Sequence, residues 1–453
     1  MRIDMPIGKL CLMAFVAFCL APHLCRQERP AVHIKPTPQL QEIILAVPDL
    51  ILQNPEQTTE MADMLGTLNQ VLWEDLKFAG CFTLASKSFY PPQTIRNLQA
   101  LDYDAWRDLP FKVSFLSAGT VKVVGGSSVH VTFQAFDMVG RSSFFGDEIS
   151  GDKSNIRFIA HRWADELVYK LTAGASQGIA STKIAFTAKH GAAKEIYVMD
   201  YDGYDQRAFT RNGSLNLFPV WSFDNSKIAF ISDQLRPWEL SIYSYVDGSR
   251  LRFPVFNSVA STPAFSPDGE HIAFALRTSR GDTDIFVSKL DGSDQKDITN
   301  NPAIDSSPTW SPSGRQLAFA SNRDTGSLQI YLCDADGTNV RPVFKEGGEA
   351  DSPSWSPDGK WIAFHWKPRR TENFDIYIGE VGSGQIHQLT NSSGNNTNPS
   401  WAPDGRHLAF DSDRTGGRQI YIMQVGADPS DIRMITNRED NSTPAWGNYP
   451  GRE

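Results

Sequence analysis

Cysteine is scarce in this chain. There are five among 453 residues, and three of them (Cys11, Cys19, Cys25) fall within the first 25. Cys81 and Cys333 remain, far apart and too few for a disulfide framework, so two buried free thiols are expected. Positive charge is short as well: 43 Lys and Arg face 52 Asp and Glu, a net of −9. That balance lacks the basic footprint of a nucleic-acid binder. Long apolar runs are missing. The run Leu10 to Leu20 has 11 residues, too short to span a bilayer. The nine histidines show no H-E-x-x-H or comparable ligand spacing, so no metal and no cofactor is expected. Unbroken helical periodicity is also absent from the C-terminal 270 or so residues. A Gly, Pro or Asp turn intervenes about every 6–12 residues, which excludes helical repeats and favours strands.

What fills that region is a repeat. Pro-x-Trp, followed by variants of Ser-Pro-Asp-Gly, places an aromatic residue at Trp221, Phe265, Trp310, Trp355, Trp401 and Trp446. Successive differences are 44, 45, 45, 46 and 45. An apolar-Ala-Phe triplet runs in step, ending at Phe186, Phe230, Phe274, Phe319, Phe364 and Phe410. A period of about 40–50 residues marks units that bury their faces only against one another. In the fourth occurrence, Pro353-Ser-Trp355 leads through Pro357-Asp-Gly359 into Trp361-Ile-Ala-Phe364. Proline presets φ in that turn, Asp bonds its own backbone, and Gly accepts positive φ. Strands at 375–378 and 385–389 complete four, the count for one propeller blade. The first triplet has no Pro-x-Trp before it, and the last Pro-x-Trp has no blade behind it. Pairing the two predicts six blades over 180–446, closed by the C-terminal strand.

The region before the repeat reads differently. Residues 1–25 carry Arg2 and Lys9 beside the apolar run, the pattern of a signal peptide, so export is expected. Residues 26–41 contain Pro30, Pro36 and Pro38 and are expected to form a mobile tail. Residues 42–175 predict a small mixed α/β domain. It starts with a strand at 43–47 and a helix capped by Asn54-Pro55 and stopped by Gly80. A strand at 81–85 and a hairpin around Gly125-Gly126 follow, then a helix from Ile156 to Leu171.

Two motifs invite a chemical reading, and neither is sustained. Gly174-Ala-Ser176-Gln-Gly178 matches G-x-S-x-G, but a nucleophile elbow needs a strand before it and a helix after it. Here the order is reversed, so a flexible interdomain linker is expected. Asp200-Tyr-Asp202-Gly203-Tyr-Asp205 resembles a calcium loop without its distal glutamate. Asp247-Gly248, Asp291-Gly292 and Asp336-Gly337 recur at the same place, so an outer-strand turn explains all four. No catalytic residue is therefore assigned.

A ring of polar positions is the stronger candidate. Ser261-Thr262, Asp305-Ser306, Asp351-Ser352, Asn396-Thr397 and Asn441-Ser442 precede the Pro-x-Trp strands. They are expected to link each blade to the next at one mouth of the central channel. Asp233, Arg323 and Arg414, in loops after the triplets, should reach the same face. Loops on a rigid scaffold are where binding residues concentrate, so this mouth is the expected docking surface for a protein partner.

The pattern Pro-x-Trp-Ser-Pro-Asp-Gly…Ile-Ala-Phe…Ile-Tyr-Val-Met-Asp resembles the TolB-like propeller repeat. Val198-Met-Asp-Tyr-Asp-Gly-Tyr-Asp205 and the helix His161-Arg-Trp-Ala-Asp-Glu-Leu-Val-Tyr-Lys-Leu171 are similar to the TolB family, as is the order of signal, α/β domain and six blades. The resemblance implies a non-enzymatic, monomeric periplasmic protein of the Tol-Pal system, peripheral to the membrane. It implies binding of the peptidoglycan-associated lipoprotein at the propeller mouth and contact of the N-terminal segment with a TolA-like inner-membrane protein. The implied role is support of outer-membrane integrity and of constriction during cell division. The sequence departs from the family at 26–41 and at the turns after Trp221 and Trp446. A glycan-binding propeller is the alternative. A prolyl-oligopeptidase-like hydrolase would need a catalytic domain for which seven residues after Trp446 leave no room.

Overall fold

The computed structural model describes residues 43–451 apart from 55–57, 93, 94, 96, 108, 235–237, 256, 257, 346, 392 and 393. The expected signal (1–25) and tail (26–41) lie outside the described residues. None of the described helices is long and apolar enough to cross a membrane.

The first region comprises β1 (Ile44–Ala46), β2 (Ile51–Leu52), α1 (Thr59–Ala79), β3 (Thr83–Leu84), α2 (Tyr103–Arg107), β4 (Phe115–Val124), β5 (Ser128–Asp137), β6 (Ser142–Asp152) and α3 (Ile156–Leu171). The sheet runs β3-β1-β4-β5-β6, and β2 also pairs with β4. The β4–β5 hairpin turns at Gly125 and Gly126, whose φ values of 61° and 85° need glycine. Val129, Val131, Phe133 and Ala135 alternate to the buried face of β5. The sequence did not signal β6. As the edge strand it is mostly solvent-exposed and buries only Ile149, so it carries little apolar alternation.

Helix α1 begins later than expected. Thr58, not Asn54, is its N-cap, accepting from Met61 N at 3.3 Å. Asn54 instead pairs with the backbone of Val123 through both ends of its amide. Pro55 lies outside the described residues. Gly80 closes the helix at φ 64°, as its position implied. Helix α3 packs beside α1, and its Trp163 stacks on Phe133 at 4.6 Å while Nε1 donates to Ser117 Oγ. This core continues without a break into Ile184, Phe186, Tyr201, Ile422 and Trp446 of the propeller.

The propeller has six four-stranded antiparallel blades. The first takes Asn441–Trp446 as its innermost strand, paired with Lys183–His190, and this closes the ring. The triplets form the second strand of each blade, buried on both faces. Ile362 and Phe364 pack against Ala318 and Ala320 of the preceding blade. Ala363 meets Leu408 and Phe410 of the next. Each blade thus sets a large face onto a small one, and none of the six triplet phenylalanines is more than 2% exposed. Burying each contributes about 2–3 kcal/mol. Trp221, Trp310 and Trp401 each donate Nε1 across to a neighbouring blade, to Ala445 O at 3.2 Å, Ala264 O at 3.2 Å and Ser354 O at 3.1 Å, whereas the buried Nε1 of Trp355 has no partner. Cys81 and Cys333 are free thiols. Cys333 is buried; Cys81 is partly buried and lies where α1 meets the propeller, beside Arg406.

Candidate functional site

The polar positions before Pro-x-Trp do not lie in links between blades. They are the first residues of the innermost strands themselves, such as Ala260–Phe265 and Asp305–Trp310. A bulge lets the strand run through them. Phe218, Thr262, Ser307, Ser352, Asn398 and Thr443 all adopt φ between 44° and 57°, and strand register shifts at each. Positive φ is costly for Thr and Phe, and such outliers persist only where surrounding structure holds them. Here neighbouring blades do so. Thr262 Oγ1 accepts from Ser307 N at 3.1 Å, and Ser352 Oγ donates to Asn398 Oδ1 at 3.1 Å.

The expected site residues divide into two groups. Asp305, Asn396 and Asn441 are buried, as is Thr397. They belong to a latch that recurs around the ring. Within the first three residues of each third strand stands Glu195, Glu239, Asp284, Gln329, Asp375 or Gln419. Asp375 Oδ1 accepts from Thr390 Oγ1 at 2.8 Å and from Asn396 Nδ2 at 2.9 Å. Gln419 Oε1 does the same for Thr436 and Asn441. Asp284 accepts from Thr299 and from the backbone of Asn301, whose amide reaches Asp305. Arg323 closes onto Asp305 at 3.0 Å and lies over Phe319 and Tyr331. Arg414 repeats this with Asn396, Phe410 and Tyr421. Asp233 Oδ1 accepts from Leu215 N at 2.8 Å. Apart from Glu239, which pairs with Arg250 and Ser241 of its own blade, these groups fasten the entering loop to the blade. Their 44–46 residue spacing was the signal that would have revealed the latch in the sequence.

Removing one latch is a local test. Asp375→Ala leaves Thr390 Oγ1 and Asn396 Nδ2 without their buried acceptor, at an expected cost of about 3 kcal/mol. Asp358→Ala, in an exposed turn of the same blade, should cost under about 1 kcal/mol. Urea unfolding of the two variants checks the contrast, and equal midpoints would refute the latch.

The second group stays partly open. Ser261, Thr262, Ser306, Asp351, Ser352 and Ser442 are half-buried around the channel. Between the fifth, sixth and first blades they meet a denser polar cluster around His365 and Asp411. His365 Nδ1 accepts from Asn398 N at 3.3 Å. Asp411 accepts from Asn398, Thr397, Arg418 and Thr443 N. Burial pushes the His365 pKa down, which leaves that imidazole neutral at pH 7. Burial raises the Asp411 carboxyl, against the pull of Arg418.

The opposite end is partly covered. Proline and tryptophan of the Pro-x-Trp strands line a cavity of about 1120 Å³, together with Gln177 and the segment 447–451. The α/β domain packs on this face. His407 Nε2 meets Phe78 O at 2.8 Å, and Arg406 reaches Cys81 Sγ at 2.8 Å and Ser176 Oγ at 3.0 Å. Ser176 is 7% exposed. The G-x-S-x-G segment is therefore anchored between the two domains and not a flexible linker, since Arg406 needs its hydroxyl as an acceptor. Residues 200–205 form the expected turn between the third and fourth strands of the first blade. That turn also touches α3, through an Arg157–Asp202 ion pair.

These features define a class: a closed six-bladed propeller with an α/β domain packed against its first and sixth blades, at the end away from the polar circle. Residues 168–369 and 348–449 match the family described as TolB beta propeller domain, and residues 37–144 match the TolB amino-terminal domain. The chain belongs to the TolB family. The Tol-Pal system protein TolB of Desulfosudis oleivorans is 30% identical over 269 residues, covering 58% of this chain and 59% of that protein. Its counterpart in Methylobacillus flagellatus is 31% identical over 184 residues, 41% of each chain. The matched parts thus span about half the length of these curated relatives. The crystal structure of TolB from Acinetobacter baumannii superposes with a TM-score of 0.74 at 23% identity, over 90% of this chain and 97% of that one, and shares the fold.

Proposed function

We propose that this chain is a non-enzymatic periplasmic scaffold of the Tol-Pal system that binds the peptidoglycan-associated lipoprotein at the open propeller mouth. Its role in the cell is to support outer-membrane integrity and constriction during division. The observation that carries this reading is the asymmetry of the ring. The α/β domain, against the first and sixth blades, and the segment 447–451 partly cover one end. The other end presents a strained polar circle held rigid by the latches. A preorganised surface loses little entropy on docking. Ser261, Thr262, Ser306, Asp351, Ser352 and Ser442 make the contacts in this reading. Asp305, Asn396, Thr397, Asn441, Asp233, Arg323 and Arg414 hold those contacts in place. The N-terminal segment, outside the described residues, meets a TolA-like protein.

The test is calorimetric titration against the soluble domain of the host's own lipoprotein. Saturable one-to-one binding is expected. Ser261→Arg with Asp351→Arg should weaken it by about tenfold or more without moving the melting curve, because both side chains are only half-buried. Asp305→Arg is unsuitable, since it would bury a charge against Arg323. Unchanged affinity in the double variant would remove the open mouth as the docking site.

A further inference from the structure

Helix α3 and the first blade meet at a set of groups that the scaffold role does not use. His161 projects from α3 and is 3% exposed. Its Nδ1 lies 2.7 Å from Asp75 Oδ2 on α1, and Tyr201 donates to the other oxygen of Asp75, also at 2.7 Å. These bonds fix the ring. The second nitrogen, Nε2, is buried and has no hydrogen-bond partner. It points at Asp202, 3.9 Å away. Asp200 stands beside it, and ligand atoms of His161, Asp200 and Asp202 all lie within 4.8 Å of one another.

We propose that His161 Nε2, Asp200 and Asp202 form a binding site for a divalent transition-metal ion of the zinc class, clasping the α/β domain to the propeller. A ligating histidine characteristically gives its other ring nitrogen to a carboxylate, which orients it and raises its basicity. Asp75 does this here, and Tyr201 orients Asp75 in turn. One imidazole and two carboxylates suit zinc, which holds each donor at about 2.0–2.2 Å and leaves a fourth position for water. Calcium and magnesium prefer all-oxygen sets. The donors come from both domains: His161 from α3, Asp200 from the end of the third strand of the first blade and Asp202 from the turn that follows it. Binding therefore joins the two.

Two basic side chains compete for the same carboxylates. Arg157 pairs with Asp202, and Lys183 Nζ lies 2.6 Å from Asp200 Oδ1. Both reach solvent, with side chains 22% and 39% exposed, so an entering ion displaces them outward without disturbing the core. This competition makes the proposal separable from a purely ionic junction. If Arg157, Lys183 and Asp202 form only an ion-pair network, removing Arg157 weakens the junction and creates no site. If they guard a metal site, removing Arg157 strengthens metal binding.

The experiment is calorimetric titration of zinc chloride into the chelator-stripped chain. One ion per chain is expected. Asp202→Asn, at a partly exposed position, should weaken binding by on the order of 10- to 100-fold. Arg157→Ala should tighten it. His271→Ala should leave it unchanged, since Asp268, Glu270 and His271 form a separate exposed group. Circular dichroism confirms that each variant is folded. Absence of saturable binding in both the parent and Arg157→Ala overturns the proposal. So does an affinity that Asp202→Asn leaves unchanged, or one that His271→Ala abolishes.

Discussion

A chain ending at Asp440 is expected to lose the cooperative unfolding of its propeller. The missing strand, Asn441–Trp446, is the innermost strand of the first blade and the partner of Lys183–His190. Without it an inner edge is left unpaired, and Ile184 and Phe186 lose their cover. Contacts across the ring go with it. Trp446 Nε1 donates to Thr182 Oγ1 at 2.8 Å, Trp446 N donates to Ser400 Oγ at 2.9 Å, and Trp221 Nε1 donates to Ala445 O at 3.2 Å. Asn441 leaves Gln419 without one latch partner. Loss of the Trp446 side chain alone costs about 3–5 kcal/mol. The rest of the strand brings the total near the 5–15 kcal/mol that holds a typical domain folded. Tryptophan fluorescence in urea is the measurement. A sharp transition at the parent's midpoint would mean that the ring does not depend on its closing strand. Trp446→Ala in the full chain should fall between the two.

Asp404→Asn is expected to destabilise the chain by about 3–5 kcal/mol at pH 7, as breaking a buried ion pair does. Asp404 is fully buried at the turn after the innermost strand of the sixth blade. Its Oδ2 lies 2.7 Å from His407 Nδ1 and 3.3 Å from Arg406. Those two residues carry the contacts to Phe78, Cys81 and Ser176, so the carboxylate orients the whole junction. Burial disfavours its charge, but His407 and then Arg406 outweigh that and hold its pKa well below the ordinary 3.8. A carboxyl with a lowered folded pKa contributes stability above its unfolded value and loses it as pH falls through the folded one. The parent should therefore lose stability below about pH 4, and Asp404→Asn should lose less over that window. Urea unfolding at pH 7 and pH 3 measures both. Equal stability at pH 7 would show that the junction does not rest on this group.

The repeat made most of the fold legible. Six triplets in step with six Pro-x-Trp strands gave blade number, closure and burial, because each blade must solve the same packing problem. The Gly125-Gly126 hairpin, the Gly80 stop and the amphipathic face of α3 were readable for similar local reasons. What stayed hidden depends on contacts between distant segments. The edge strand β6 lacks alternation because one side faces water. Asn54 looks like a cap, yet it is used by a strand almost 70 residues away. Asp305, Asn396 and Arg414 look like exposed polar loop residues, and only the third-strand acids and amides that bury them reveal the latch. His365 and Asp411 meet through bulges in neighbouring blades, and His161, Asp75 and Asp202 meet only when the two domains dock. No spacing in the chain encodes either meeting.

Amide hydrogen exchange with and without the lipoprotein's soluble domain tests the central claim most directly. Protection is expected in the loops that rim the open mouth, 322–328, 367–374 and 413–418, and at the start of the innermost strands. Protection confined to the α/β domain or to 447–451, with the rim unchanged, would place the partner on the opposite end and contradict the account.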